Sequence, residues 1–238
     1  MEDHRGERFT EADFTGARFH GVDLSNVTIS DAWLVDVDIS GALHGLTVNG
    51  IDVTGYVEDE LDRRHPERLL LRPEHVAGMH VAWAKVEDIA AATAERARSL
   101  PPELLDVSVG GEWSYLDTLR HLLYATDRWI TGPVQGEPDA FHRLGRPNEE
   151  LDEVVPGRFD VDAQPTLDEV LAARRDRMDR VAAVIGGLDE AALGREVASP
   201  NGGTTTLRYC LQVIFREEWW HDQYANRDLS ILAEDETA

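Results

Sequence analysis

The 238-residue chain has a single cysteine, Cys210, a single lysine, Lys85, and no run of 18 or more apolar residues. One cysteine closes no internal disulfide, and Cys210 sits in a helical pattern as a small buried hydrophobe would. Without a span-length apolar run, a transmembrane helix is not expected. The start, MEDHRGERF, is charged and lacks an apolar core, so no secretory signal is expected. These absences together point to the cytoplasm. Basic residues are also scarce, 23 against 46 acidic ones, for a formal net charge of −23. That balance argues against nucleic acid and against anionic lipid as partners, because both need cationic surface. What is present is ordinary for a folded protein: 42% hydrophobic and 29% charged residues, in a length that fits one large domain or one domain with a small appendage.

The amino-terminal fifth follows neither the helical nor the strand period. Phe9, Phe14, Phe19, Leu24, Ile29, Leu34 and Ile39 recur every five residues, and Ala12, Ala17, Val22, Val27, Ala32 and Val37 stand two positions before most of them. An internal repeat is the direct reading. The units FTGAR, FHGVD and LSNVT resemble the pentapeptide-repeat family. That resemblance implies a short right-handed quadrilateral β-helix, with the Phe, Leu or Ile of each unit filling the axis. About eight units make only about two coils, a stack too short to stand alone, which favours a cap, a partner domain or a homodimer. After Ser40 the phase breaks. LTVNGIDV reads as a hairpin with Asn49-Gly50 in a type I′ turn, and residues 58–72 read as a connector whose short helix stops near Pro66.

From Pro73 onward the signals are helical. The first helix runs from Pro73 to Leu100, the second from Ser114 to about Ile130 with Asp117 as capping partner, and the third from Thr166, with Glu169 as partner, to Gly186-Gly187. The third carries an apolar stripe of Leu167, Leu171, Met178, Val181, Ile185 and Leu188; the fourth runs from about Thr205 to about Asp228. The expected fold is mainly α, an up-down four-helix bundle over 73–238 behind a repeat domain at 1–57. Between the second and third helices lies a long stretch rich in Pro, Gly and acids, of the kind that covers a pocket or drapes the surface.

The fourth helix poses the chemical question. Its stripe Leu207, Cys210, Leu211 and Ile214 continues onto Glu217 and His221, which are four apart and share a face. Inward ligands on facing bundle helices are how such folds hold metals, and His121 on the second helix is the candidate third ligand. Spacing alone does not select it. His121 shares a face with Asp117, Ala125 and Arg128, so the residues alone favour a partly buried structural histidine, and a helix-face salt bridge for Glu217. Glu218 is the nearest rival ligand, Asp117 a candidate acceptor for the second nitrogen of His121, and His75, His80 and His142 are left outside the cluster.

The order of elements, the W-x7-H from Trp113 to His121 and the EEWWH of residues 217–221 resemble the DinB-like family, and within it the branch that includes mycothiol-dependent maleylpyruvate isomerase. The resemblance spans roughly residues 73–230. It implies a divalent metal held by His121, Glu217 and His221. Two imidazoles and a carboxylate suit zinc first, and also nickel, manganese or ferrous iron. The implied activity is thiol chemistry: S-transfer of a low-molecular-weight thiol such as mycothiol to a small electrophile, or thiol-assisted isomerisation. Two other readings stand beside it. One is a protein-interaction module in which the acidic repeat imitates DNA; the other is a scaffold that binds metal and a small ligand without catalysis.

Overall fold

Residues 3–19, 21–147 and 157–237 are described by the computed structural model, and they are mainly helical. The amino-terminal repeat keeps its period as backbone turns. Positive φ recurs at Gly6, Glu11, Gly16, Gly21, Asn26, Asp31, Asp36 and Gly41, mostly Gly, Asn or Asp, which accept that conformation at least cost. Backbone hydrogen bonds close local turns, from Ala17 N–H to the Phe14 carbonyl (2.9 Å) and from Val27 to Leu24 (3.2 Å). No strand is assigned before Thr47 among the described residues. The rings of Phe9, Phe14 and Phe19 meet in a row, with centroids 5.6 and 6.0 Å apart, yet they remain half exposed. A stack of so few turns has no interior to close over them. The hairpin follows as expected: β1 (Thr47–Val48) pairs antiparallel with β2 (Ile51–Asp52) across Asn49 and Gly50, both at positive φ.

The connector forms α1 (Thr54–Arg64) and a 3-10 turn over Pro66–Leu71. Then come the long helices. α2 (Val76–Arg98) starts three residues after Pro73. α3 (Tyr115–Thr126) is capped by the Ser114 hydroxyl, which accepts from the Asp117 N–H, and continues as a π-helical turn over Asp127–Thr131. α4 (Leu167–Gly186) begins with a complete capping box between Thr166 and Glu169. A small hairpin, β3 (Glu196–Ala198) with β4 (Thr204–Thr206), leads into α5 (Leu207–Thr237), which outlasts its expected end by two turns.

These four helices share a core in which Met79, Trp83 and Val86 of α2 meet Val181 and Ile185 of α4 and Ile214 and Phe215 of α5. Their directions do not simply alternate. Thr93 bonds Asp222 and Arg96 reaches Asn226 and Ser230, so α2 and α5 run parallel. Trp129 meets Tyr209 while His121 faces Glu217, so α3 opposes α5. Arg98 pairs with Asp168 at one end and Glu87 and Asp179 share a cavity wall toward the other, so α4 opposes α2 and runs with α3. The expected strict up-down order is thus corrected to up-down-down-up. A chain that must start α4 at the same end as α3 has to travel back along α3, and the long connection does this.

Two buried arginines fasten that connection. Arg120 donates to the carbonyls of Leu144 (3.0 Å), Asp160 (2.7 Å) and Ala163 (3.2 Å). Arg177 binds the buried Asp127 (2.7 Å) and the Ala140 carbonyl (3.3 Å), and Asp127 also accepts from the His142 N–H. Residues 148–150, the end of the FHRLGRPNEE stretch, lie outside the described residues. No helix among the described residues is long and apolar enough to cross a membrane.

Candidate metal centre

His121, on the middle of α3, and Glu217 and His221, one turn apart on α5, come together in space. His121 Nε2 lies 3.8 Å from Glu217 Oε2, and His221 Nε2 lies 3.3 Å from the same oxygen. One donor atom from each of the three falls within 4.8 Å of the others. Bonds of about 2.0–2.1 Å in a tetrahedral set put donor atoms about 3.4 Å apart. The three side chains therefore fit a zinc-sized ion after small adjustment.

The second nitrogen of His121 decides its chemistry. Nδ1–H donates to the Arg146 carbonyl at 3.1 Å, so the neutral ring leaves a bare lone pair on Nε2. That lone pair faces a carboxylate oxygen, so two acceptors look at each other, an arrangement a cation between them satisfies. Burial is the main force holding the His121 pKa below its ordinary value, which keeps the ring neutral and ready to ligate. Burial pushes the Glu217 carboxyl up, but the nearness of the two histidine side chains overcomes this and holds it well below the usual carboxylate range, so it stays an anion.

The surroundings lie largely beyond sequence reasoning. Trp113 packs on both rings, 4.6 Å from His121 and 6.2 Å and nearly parallel to His221. The Arg146 guanidinium lies 5.8 Å over Trp113 and donates to Asp117 at 2.6 Å. Asp117 thus pairs with Arg146, the residue whose carbonyl accepts from the His121 ring. Arg146 comes from the long connection, 25 positions away, and no local pattern announces it.

The rival residues resolve. Glu218 turns away and makes a two-pronged ion pair with Arg174 (2.9 and 2.7 Å), both side chains 3% exposed. Trp219 is core, with its indole N–H on Glu67, and Trp220 stacks on Tyr224. His80 is exposed, His75 pairs with Glu190, and His142 organises its loop by accepting from the Leu144 N–H. Cys210 is fully buried, and desolvation pushes its thiol up to about 11, which leaves it inert.

Comparison with known families gives two matches: the DinB superfamily over residues 85–225, and pentapeptide repeats, in eight copies, over residues 5–41. Comparison with curated proteins and with solved structures gives none. The first match covers more than half of the chain and contains all three members of the cluster, so the chain belongs to the DinB superfamily.

Proposed function

We propose that His121, Glu217 and His221 hold a divalent metal, zinc first and nickel, manganese or iron as alternatives, and that the protein is a metal-dependent enzyme of thiol chemistry. Its substrates on this reading are a low-molecular-weight thiol of the mycothiol type and a small electrophile, joined by S-transfer or passed through a thiol-assisted isomerisation. The helices form the DinB-type bundle, and the five-residue turns wind the amino-terminal segment into a short quadrilateral coil. The observation that carries the reading is the face-off between the His121 Nε2 lone pair and the Glu217 carboxylate, with His221 beside it. A divalent ion bound there would supply Lewis acidity, lowering the pKa of a coordinated thiol or water toward neutrality. The chain's own part is to keep His121 neutral through the Arg146 carbonyl and to close one side of the cluster with Trp113. Elemental analysis of protein prepared without an affinity tag tests this, with His221→Ala as control, followed by a thiol-transfer screen. Near-stoichiometric metal in the parent and its loss in the variant are expected; equal metal in both would end the reading.

A second role is favoured by the exposed apolar residues of the repeat, among them Phe9, Phe19, Ile29 and Trp33, the last 95% exposed. On this reading the segment is an interaction element that joins two copies of a cytoplasmic protein. Removal of residues 1–57 should then convert a dimer to a monomer in solution while metal binding and turnover survive.

A further inference from the structure

A cavity of about 370 Å³ lies between α2 and α4, floored by α3 and α5. Its size is that of a small-molecule site. None of its walls comes from the long connection; the described lining is entirely helical. His221 reaches its edge, so the cavity borders the metal cluster without containing His121 or Glu217.

Its charges are unbalanced. Of its three arginines, Arg174 spends both terminal nitrogens on Glu218, and Arg98 is committed to Glu95 (2.5 Å) and Asp168 (3.7 Å). What is left is Glu87, Asp179 and Asp222 against Arg175. Asp222 is half-buried, and it accepts from the neutral Thr93 hydroxyl rather than from a cation. A carboxylate drawn partly out of water is penalised until a cation joins it, and the ammonium group of a ligand would supply that cation. Between these groups the wall is apolar and shallow: Ala90 and Ala94 of α2 face Leu122 and Met178. An anion entering here finds Arg174 already taken by Glu218 and only Arg175 to set against three carboxylates, whereas a cation meets those carboxylates directly. The net charge of −23 draws cations toward the molecule in addition.

We propose that this cavity binds a small primary amine with an apolar body, its ammonium group at Asp222 and its body against Ala90 and Met178. The inference goes beyond the metal reading and does not depend on it. Benzylamine, benzyl alcohol and phenylacetate are matched probes of one shape and three charges. Binding is read by ligand-observed NMR titration on the full-length protein, once after treatment with chelator and once loaded with zinc. Benzylamine should bind with and without zinc, at least about tenfold more tightly than the alcohol, with no detectable binding of phenylacetate; tenfold corresponds to about 1.4 kcal/mol. Asp222→Asn should remove that preference, and Ala90→Leu, which fills the space, should abolish binding while leaving zinc content unchanged. Phenylacetate binding as well as benzylamine, no benzylamine binding up to about 10 mM, or equal affinity in the parent and both variants would each overturn the proposal. Absence of zinc from the purified protein would overturn the metal reading and leave this result intact.

Discussion

At the scale of single residues, the two neighbouring glutamates of α5 have opposite fates. Glu217 faces two imidazoles, and Glu218 faces a buried arginine. Glu217→Gln should therefore remove at least nine-tenths of bound metal with little change in folding. Glu218→Gln should keep the metal but destabilise the fold by about 3–5 kcal/mol, because it strands the Arg174 charge in the interior. Elemental analysis and urea unfolding on both variants separate the two. The histidines add a pH dependence. Burial holds the folded-state pKa of His121 below its ordinary 6.5, so the unfolded chain takes up a proton first as pH falls. The stability His121 contributes is present above 6.5 and is lost on acidification through its lower folded-state value; Glu217, also depressed, acts in the same direction at lower pH. Metal-free parent protein should lose unfolding free energy between pH 7 and pH 5, and His121→Asn should flatten that slope. The pairing of Glu217 with His221 was legible because four residues make one helical turn. His121 was not selected by periodicity, for a physical reason: every residue of α3 except Asp117 is buried, and a helix covered on all sides has no stripe to mark an inward face.

At the scale of elements, the long connection acts as part of the metal cluster's support. Asp117 holds Arg146, Arg120 holds the Leu144 carbonyl, and the Arg146 N–H returns to the Arg120 carbonyl at 3.0 Å. The result is a fixed carbonyl under His121 Nδ1. Asp117→Asn leaves every metal ligand in place but weakens that anchor. Metal affinity should drop about tenfold, the usual effect of disturbing a group that orients a ligand, and competition with a chromophoric chelator measures it. An unchanged affinity would assign the Asp117–Arg146 pair to loop packing alone. Capping boxes and the Asn-Gly turn could be read from sequence because both are settled within four residues. The apolar stripe of α4 was read as well, with Val181 and Ile185 in the core and Leu167, Leu171, Met178 and Leu188 packed against it, but the charged residues on its inward face were not. Arg174 and Arg177 occupy its core-facing positions between Val170 and Val181, where charged residues are rarely placed.

At the scale of the whole molecule, self-repulsion is the governing feature. A net charge of −23 on 238 residues opposes compaction, and salt screens it within about 8–10 Å at physiological strength. The thermal midpoint should rise when sodium chloride is taken from about 10 mM to about 150 mM, and a scanning fluorimetry series reads this directly. A flat or falling midpoint would show that local ion pairs such as Arg174–Glu218 and Arg177–Asp127 outweigh the global repulsion. The sequence by itself determined the repeat period, the places where helices begin, and the one-turn pairing of Glu217 with His221, because each follows from covalent spacing and hydrogen bonds formed within a few residues. Only the tertiary structure decided that α4 runs alongside α3, that Glu218 is claimed by Arg174, and that a carbonyl from the distant connection fixes His121. Those outcomes depend on which surfaces meet after the chain has turned back on itself, and no local period encodes them.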